Sequence, residues 1–286
     1  MRRVNPLPTL MTLCNMFSGL WAITLAMRSI HPEGGALEAA DLQTYAAGAV
    51  FLAMVFDVLD GRVARLTGMT SRFGAELDSL SDMVSFGLAP AVLANAVFRS
   101  SAWAGNVTLG RVSWVLLALY AAGAAVRLAR YNVEAISATD GSVGAKGRDY
   151  FVGLPSPAAA GLAVSFVLLH HWVSHNAKDL WVEKFMALAL PALMALLGWL
   201  MVSRVRYVHV GNWFFSGRRK LVPVMLIGAV LALAAALHEL IGILVFGIYV
   251  LGFLAWDLGR SLAHARARRR LRRAGRAAPP PDARLG

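Results

Sequence analysis

The chain reads as an all-α, polytopic membrane protein, and three observations carry that reading. Of its 286 residues, 58% are hydrophobic, against roughly 45–50% in an average soluble domain. The excess is gathered into runs of about 17–25 residues, the length a helix needs to cross a bilayer. Lys and Arg are distributed unevenly over the segments between those runs. No polar stretch is long enough to build a separate soluble core.

Taken in order, the apolar runs predict about eight transmembrane helices, at roughly 9–28, 44–62, 79–98, 111–130, 152–173, 184–203, 221–238 and 240–258. The first run follows MRRVNPLPTL, a basic start that a secretory leader also has. The run is long and lacks an A-x-A-like cleavage site, so it is expected to stay as the first membrane helix. The last two runs are parted by His238 and Glu239. Polar groups of that kind are costly in mid-bilayer, which predicts a tight turn there. Cys14 is the single cysteine, excluding a disulfide framework or a Cys-based metal site.

With the N-terminus in the cytoplasm, all but five of the 28 Lys and Arg fall on the cytoplasmic side. The exceptions are Arg28, Arg99, Arg111, Lys178 and Lys184. Both termini are then cytoplasmic, the number of spans is even, and the expected location is a bacterial inner membrane. The net charge of +12 is explained by topology, with no nucleic-acid partner. Two units follow: a membrane unit over residues 1–259 and a basic, partly disordered tail over 260–286. The tail serves either as a topology anchor or as an adhesive for anionic lipid heads, at about 1 kcal/mol per basic residue.

The informative segment is DVLDGRVARLTGMTSRFGAELDSLSD, residues 57–82. Ionisable residues near a membrane helix are rare and mark function. Asp57 and Asp60 are three apart and share a helix face; Asp78 and Asp82 are four apart and share a face of the next helix. A short turn with Gly68 and Gly74 nearby lets the two pairs meet. Four carboxylates in one pocket repel unless divalent cations lie between them, and all-oxygen ligands suit Mg²⁺ or Mn²⁺. Two such cations form a clamp for in-line displacement at phosphorus. By spacing alone, the aspartates could instead form helix-end salt bridges with Arg62, Arg65 and Arg72. Gly61 and Gly74 would admit phosphates close to the backbone, and Arg65 could hold phosphate oxygens with both arms of its fork.

The string Asp57-x2-Asp60-Gly61-x2-Ala64-Arg65-x8-Gly74-x3-Asp78-x3-Asp82 resembles the signature of the CDP-alcohol phosphatidyltransferase family. The resemblance implies a metal-dependent membrane enzyme that moves a phosphatidyl group from a CDP-linked lipid to an alcohol and releases CMP. It implies Asp57, Asp60, Asp78 and Asp82 as ligands of two divalent cations, Mn²⁺ or Mg²⁺. Asp82 is also the implied catalytic base. Gly61, Ala64, Arg65, Ser71 and Gly74 match positions near the nucleotide and diphosphate. A homodimer and an active site at the cytoplasmic face are implied as well.

Further strings, LPTLMTLCNMFSG at 7–19, LDSLSDMVSFGLAPA at 77–91, RLARYNV at 127–133 and YFVGLPSPAAAG at 150–161, resemble the membrane-integral, serine-accepting branch of that family. The substrates implied are CDP-diacylglycerol and L-serine. Thr9 departs from the asparagine expected there, which puts any role for that position in doubt. The resemblance is good over about residues 7–175. Arg127, Arg130 and Asn132 are the acceptor-binding candidates, since an arginine fork fits the serine carboxylate; the arginines also read as positive-inside markers. Pro155 and Pro157 either shape the entry to the fifth span or close a loop over the substrate. His170, His171 and His175 lack the glutamate of a zinc motif and read as interfacial packing.

Two other readings are kept open. A sister enzyme would use glycerol 3-phosphate, inositol phosphate or choline. A cation transporter would need acidic residues through the membrane depth, and the later runs are largely free of them.

Overall fold

The computed structural model describes residues 6–31, 38–67, 72–139, 150–176, 180–203, 205–208, 242–252 and 254–255. Helices follow one another as α1 (Pro6–Ile30), α2 (Ala39–Thr67), α3 (Arg72–Asp82), α4 (Ala89–Ser100), α5 (Val107–Thr139), α6 (Ser156–Asn176) and α7 (Leu180–Val202). A short apolar helix, α8 (Gly242–Gly252), comes later. Six segments are long and apolar enough to cross a membrane: Thr9–Ile30, Ala39–Val63, Phe73–Ser100, Val107–Glu134, Ser156–Asn176 and Trp181–Val202. The protein is a multi-pass, all-α membrane protein.

The expected eight spans are thus six among the described residues. The run at 221–238 and the tail at 260–286 lie outside them. The run at 240–258 contains α8, which is shorter than the roughly 20 residues a span requires.

Successive spans run in opposite directions, so one end of the bundle gathers the start of α1, α3 and α6 and the ends of α2, α5 and α7. Helix α2 has 29 residues, about 43 Å at 1.5 Å per residue. That exceeds a hydrocarbon core of about 30 Å, so its last turns can emerge from the membrane carrying polar side chains.

Lipid tails are as apolar as leucine, so helices in a bilayer associate through close packing and interhelical hydrogen bonds. Both devices are present. Gly123 of α5 faces Gly198 of α7 so closely that a Cβ on the first would stand 2.8 Å from the second's Cα. At the far end, the buried Gln43 amide donates to Ser29 Oγ (3.2 Å) and Ser100 Oγ (3.1 Å), joining α1, α2 and α4. Asn106 Oδ1 accepts the Leu109 N–H at 3.0 Å and caps the start of α5.

The third span is not a regular helix. Between α3 and α4 the six residues Met83–Leu88 form a π-helical segment, with the Ala89 N–H bonded to the Val84 carbonyl five residues back. Pro90 explains part of this. A proline has no N–H, so it cannot bond the carbonyl four residues before it, that of Phe86. The buried Tyr120 hydroxyl of α5 donates to that carbonyl instead, at 2.7 Å.

One further departure from the all-helix expectation is a two-stranded antiparallel ribbon at the site end. It pairs β1 (Tyr150–Val152) with β2 (Arg206–Val208) in the register Phe151↔Tyr207. The chain then turns into α6 through Gly153, whose φ of 90° few other residues adopt. The Gly153 N–H bonds the Val205 carbonyl at 2.8 Å, and Leu154 N–H bonds that of Leu200 at 3.2 Å. The ribbon therefore ties the entry of α6 to the exit of α7.

Candidate active site

Asp57 and Asp60 sit on the last membrane turns of α2, and Asp78 and Asp82 on α3. Asp57, Asp60 and Asp78 converge: each offers a carboxylate oxygen, and these atoms lie within 4.8 Å of one another. Asp60 is only 5% exposed. The Thr12 hydroxyl of α1 and the Gly61 backbone hydrogen-bond to it. Asp60 Oδ2 and Asp78 Oδ1 are nonetheless buried without a hydrogen-bond partner.

Buried acceptors are nearly always satisfied, and three close carboxylates repel. An all-oxygen set with unsatisfied lone pairs is the donor chemistry that a hard divalent cation requires. The trio fits such a cation on this ground.

Asp82 stands outside the trio. It lies one helical turn beyond Asp78, and its Oδ1 accepts a hydrogen bond from Asn15 Nδ2 of α1 at 3.2 Å. It remains close enough to Asp57, Asp78 and Asp60 to interact with all three electrostatically. The four aspartates are thus one site with two parts.

Helix α1 is the wall that the sequence reading missed. Ser81 Oγ donates to the Thr12 carbonyl and Ser85 Oγ to that of Asn15, both at 2.9 Å. Gly19 follows one turn later against Ser85; a Cβ there would sit 2.7 Å from the Ser85 Cα. Thr12, Asn15 and Gly19 share one face of an otherwise apolar helix. Two polar residues three apart inside a membrane run were the available signal.

The three acceptor candidates part company. Arg127 is half-buried and interacts electrostatically with Asp82 and Asp57, while its Nη1 donates to Ser156 Oγ at 3.0 Å. Its Nε is buried without a partner. Arg130 Nη1 instead donates to the Val202 carbonyl at 3.2 Å, at the end of α7, where a cation suits the helix dipole. Asn132 braces α5 to α3, accepting from Ser79 Oγ at 2.9 Å and donating to Glu76 Oε2 at 3.2 Å. Of the three, only Arg127 is turned into the aspartate site.

Gly61 directly follows Asp60, and Gly74 lies in the first turn of α3. The backbone of Ala64 and Arg65 continues α2 beyond Gly61. Ser71 lies outside the described residues.

The family model for CDP-alcohol phosphatidyltransferase matches residues 5–256. The chain belongs to that family. It is therefore a transferase. Among relatives, a CDP-diacylglycerol–serine O-phosphatidyltransferase of Helicobacter pylori is 34% identical over 210 residues, covering 71% of this chain and 73% of the relative. The protein of that name from Methanocaldococcus jannaschii is 33% identical over 214 residues, covering 75% and 79%. That from Mycobacterium tuberculosis is 38% identical over 163 residues, covering 57% and 49%.

The histidines lie at the other end of the bundle from the aspartates. His171 and His175 line a cavity of about 590 Å³ with Asp41, Thr44, Ser174 and Asn176. The His170 and His171 rings meet edge to face at 5.6 Å. Among the described residues, only the aspartate trio has the convergence of a metal site.

Proposed function

We propose that the chain transfers the phosphatidyl group of CDP-diacylglycerol to the hydroxyl of L-serine, releasing CMP and making phosphatidylserine. The observation that carries this reading is the convergence of three carboxylates beside Asp82 and Arg127. An acidic, cation-competent centre suits a diphosphate, and a half-buried arginine suits a carboxylate-bearing acceptor. The relatives named for the serine reaction support the same acceptor. A neutral alcohol would have no use for the guanidinium.

Asp57, Asp60 and Asp78 would hold two divalent cations, Mg²⁺ or Mn²⁺, whose contribution is to neutralise the diphosphate charge. Gly61 and Gly74 leave room for the nucleotide phosphates, with Arg65 and Ser71 as their side-chain contacts and Ala64 as the small neighbour of the nucleotide. Arg127 binds the serine carboxylate. Asp82 accepts the proton of the serine hydroxyl as that oxygen attacks the phosphatidyl phosphorus. The new serine–phosphorus ester forms, the bond from phosphorus to the oxygen bridging to CMP breaks, and CMP departs with the negative charge. Asn15 orients Asp82 for this step through its amide.

Residues 1–259 form the enzyme unit in this reading, and 260–286 a basic tail suited to anionic lipid heads. The site faces the cytoplasm of a bacterial inner membrane; the grouping of Arg62, Arg127 and Arg130 at the aspartate end supports that side. Family membership supports a homodimer.

The test is CMP release by the purified protein with Mn²⁺ and CDP-diacylglycerol, offering serine, glycerol 3-phosphate, inositol phosphate or choline in turn. Turnover is expected with serine. Strong turnover with another acceptor would overturn the serine reading while leaving the reaction class in place.

A further inference from the structure

Helix α8 carries none of the strings that resemble the family, yet its packing leads to the active site. Gly242 lies so close to Ser165 of α6 that a Cβ would stand 3.1 Å from the serine Cβ, and Phe246 lays its ring against Gly161. Phe246 also stacks on Phe51 of α2, with ring centroids 6.3 Å apart and an interplanar angle of 22°. As α8 advances from 242 to 246, its neighbours on α6 retreat from 165 to 161. The two helices are therefore antiparallel, and one more turn of α8 reaches the start of α6. Tyr249 and Val250 stand at that turn; Val250 is buried and Tyr249 packs against the core. The start of α6 is Ser156, the residue that accepts from Arg127. Tyr249 is among the electrostatic neighbours of Arg127, after Asp82 and Tyr131, and of the two tyrosines it is the one that comes from a different helix.

We infer that Tyr249 is a positioning residue of the acceptor site: with Ser156 it holds the Arg127 guanidinium so that the free edge of the fork addresses the carboxylate of the acceptor. This rests on the reading of Arg127 as the carboxylate anchor. A guanidinium has five N–H donors in a fixed plane and no acceptor. It can be aimed only by acceptors around it, and Ser156 Oγ is one. The phenolic oxygen of Tyr249, carried to the start of α6 by another helix, is the second acceptor in this reading. Two supports from two helices fix a plane where one would leave a hinge. The last described helix of the chain thereby completes the pocket that α2, α3 and α5 begin.

The experiment compares wild type with Tyr249→Phe, Tyr249→Leu and Arg127→Gln, purified full-length, measuring KM for serine, KM for CDP-diacylglycerol, kcat and thermal melting in detergent. Tyr249→Phe removes the oxygen and keeps the ring. It is expected to raise the serine KM about tenfold, the size of one hydrogen bond to a charged group. KM for CDP-diacylglycerol and the melting temperature should stay at wild-type values. If Arg127→Gln raises the serine KM and Tyr249→Phe does not, Tyr249 has no positioning role, and Arg127 keeps its own. If Arg127→Gln leaves the serine KM unchanged, the anchor reading fails and the role of Tyr249 fails with it. If Tyr249→Phe and Tyr249→Leu shift both KM values together and lower the melting temperature, Tyr249 is a packing residue and the inference is overturned.

Discussion

Asn15 donates its amide to Asp82 Oδ1 at 3.2 Å, joining the first helix to the aspartate that stands apart from the other three. The Asn15 backbone is itself held, since its carbonyl accepts from Ser85 Oγ. The amide therefore approaches Asp82 from a fixed position. Replacing Asn15 by Ala is expected to lower kcat about tenfold or more, the worth of a hydrogen bond to a charged group. KM for CDP-diacylglycerol should change little. Steady-state CMP release checks both; an unchanged kcat would remove Asn15 from the mechanism.

The separation of Asp82 from the trio predicts different losses for the four aspartates. Asp57→Asn, Asp60→Asn and Asp78→Asn should each shift the Mn²⁺ activation midpoint to higher concentration as well as cut the rate. Asp82→Asn should keep the midpoint and lose turnover about 10²–10⁴-fold, the usual contribution of a proton acceptor. Manganese titrations of activity separate the outcomes. A midpoint for Asp82→Asn that moves as far as those of the trio would make it a ligand of equal standing.

Removing divalent cations should abolish CMP release, and Mn²⁺ or Mg²⁺ should restore it. Close carboxylates, with Asp60 Oδ2 and Asp78 Oδ1 buried and unpartnered, leave the trio electrostatically unfavourable when empty. The melting temperature in detergent is therefore expected to rise on adding Mn²⁺, and to rise less in Asp60→Asn. Binding to the folded state alone stabilises it in this way. A melting temperature indifferent to Mn²⁺ would argue against a resident cation.

Tyr120→Phe leaves the Phe86 carbonyl without its hydroxyl partner. The expected loss is about 0.6 kcal/mol, the average for interhelical hydrogen bonds in membranes, and no more than about 1.7 kcal/mol. Combining it with Pro90→Ala should shrink the loss, because residue 90 then has an N–H to offer. Detergent unfolding of the four variants forms a double-mutant cycle. Equal losses in both backgrounds would show that Pro90 is not the reason Phe86 turns to Tyr120.

The membrane class and the position of the aspartates were legible because each rests on local pattern. Apolar run length sets the spans, and i+3 and i+4 spacing sets the shared faces of Asp57 with Asp60 and Asp78 with Asp82. What was hidden depends on which helices become neighbours. Thr12 and Asn15 lie 67–70 residues before the side chains they meet on α3 and the turn beyond it, and no spacing rule links them. Arg127, Arg130 and Asn132 looked alike as a cluster on α5. They diverge because a helix turns each about 100° from the next residue's direction, sending one to the site, one to α7 and one to α3. The π-helical segment was unreadable because Pro90 in a membrane span can equally produce a simple kink. The β1–β2 ribbon pairs two three-residue strands 54 positions apart, too short and too distant to register as strands.

The π-helical segment also sets the helical phase of the third span. Bonding five residues back rather than four accommodates an extra residue in the turn, and each residue carries about 100° of rotation. The amphipathic α3 and the largely buried α4 can then keep separate angular settings on one continuous rod. Deleting one residue within Met83–Leu88 would re-phase the rod, so that Asp78 and Asp82 could face the pocket only if α4 turned its packed surface away from its neighbours. The reactive half of the span and the structural half are in this sense two parts geared together, and the gear is a turn that contains no ligand and no charge.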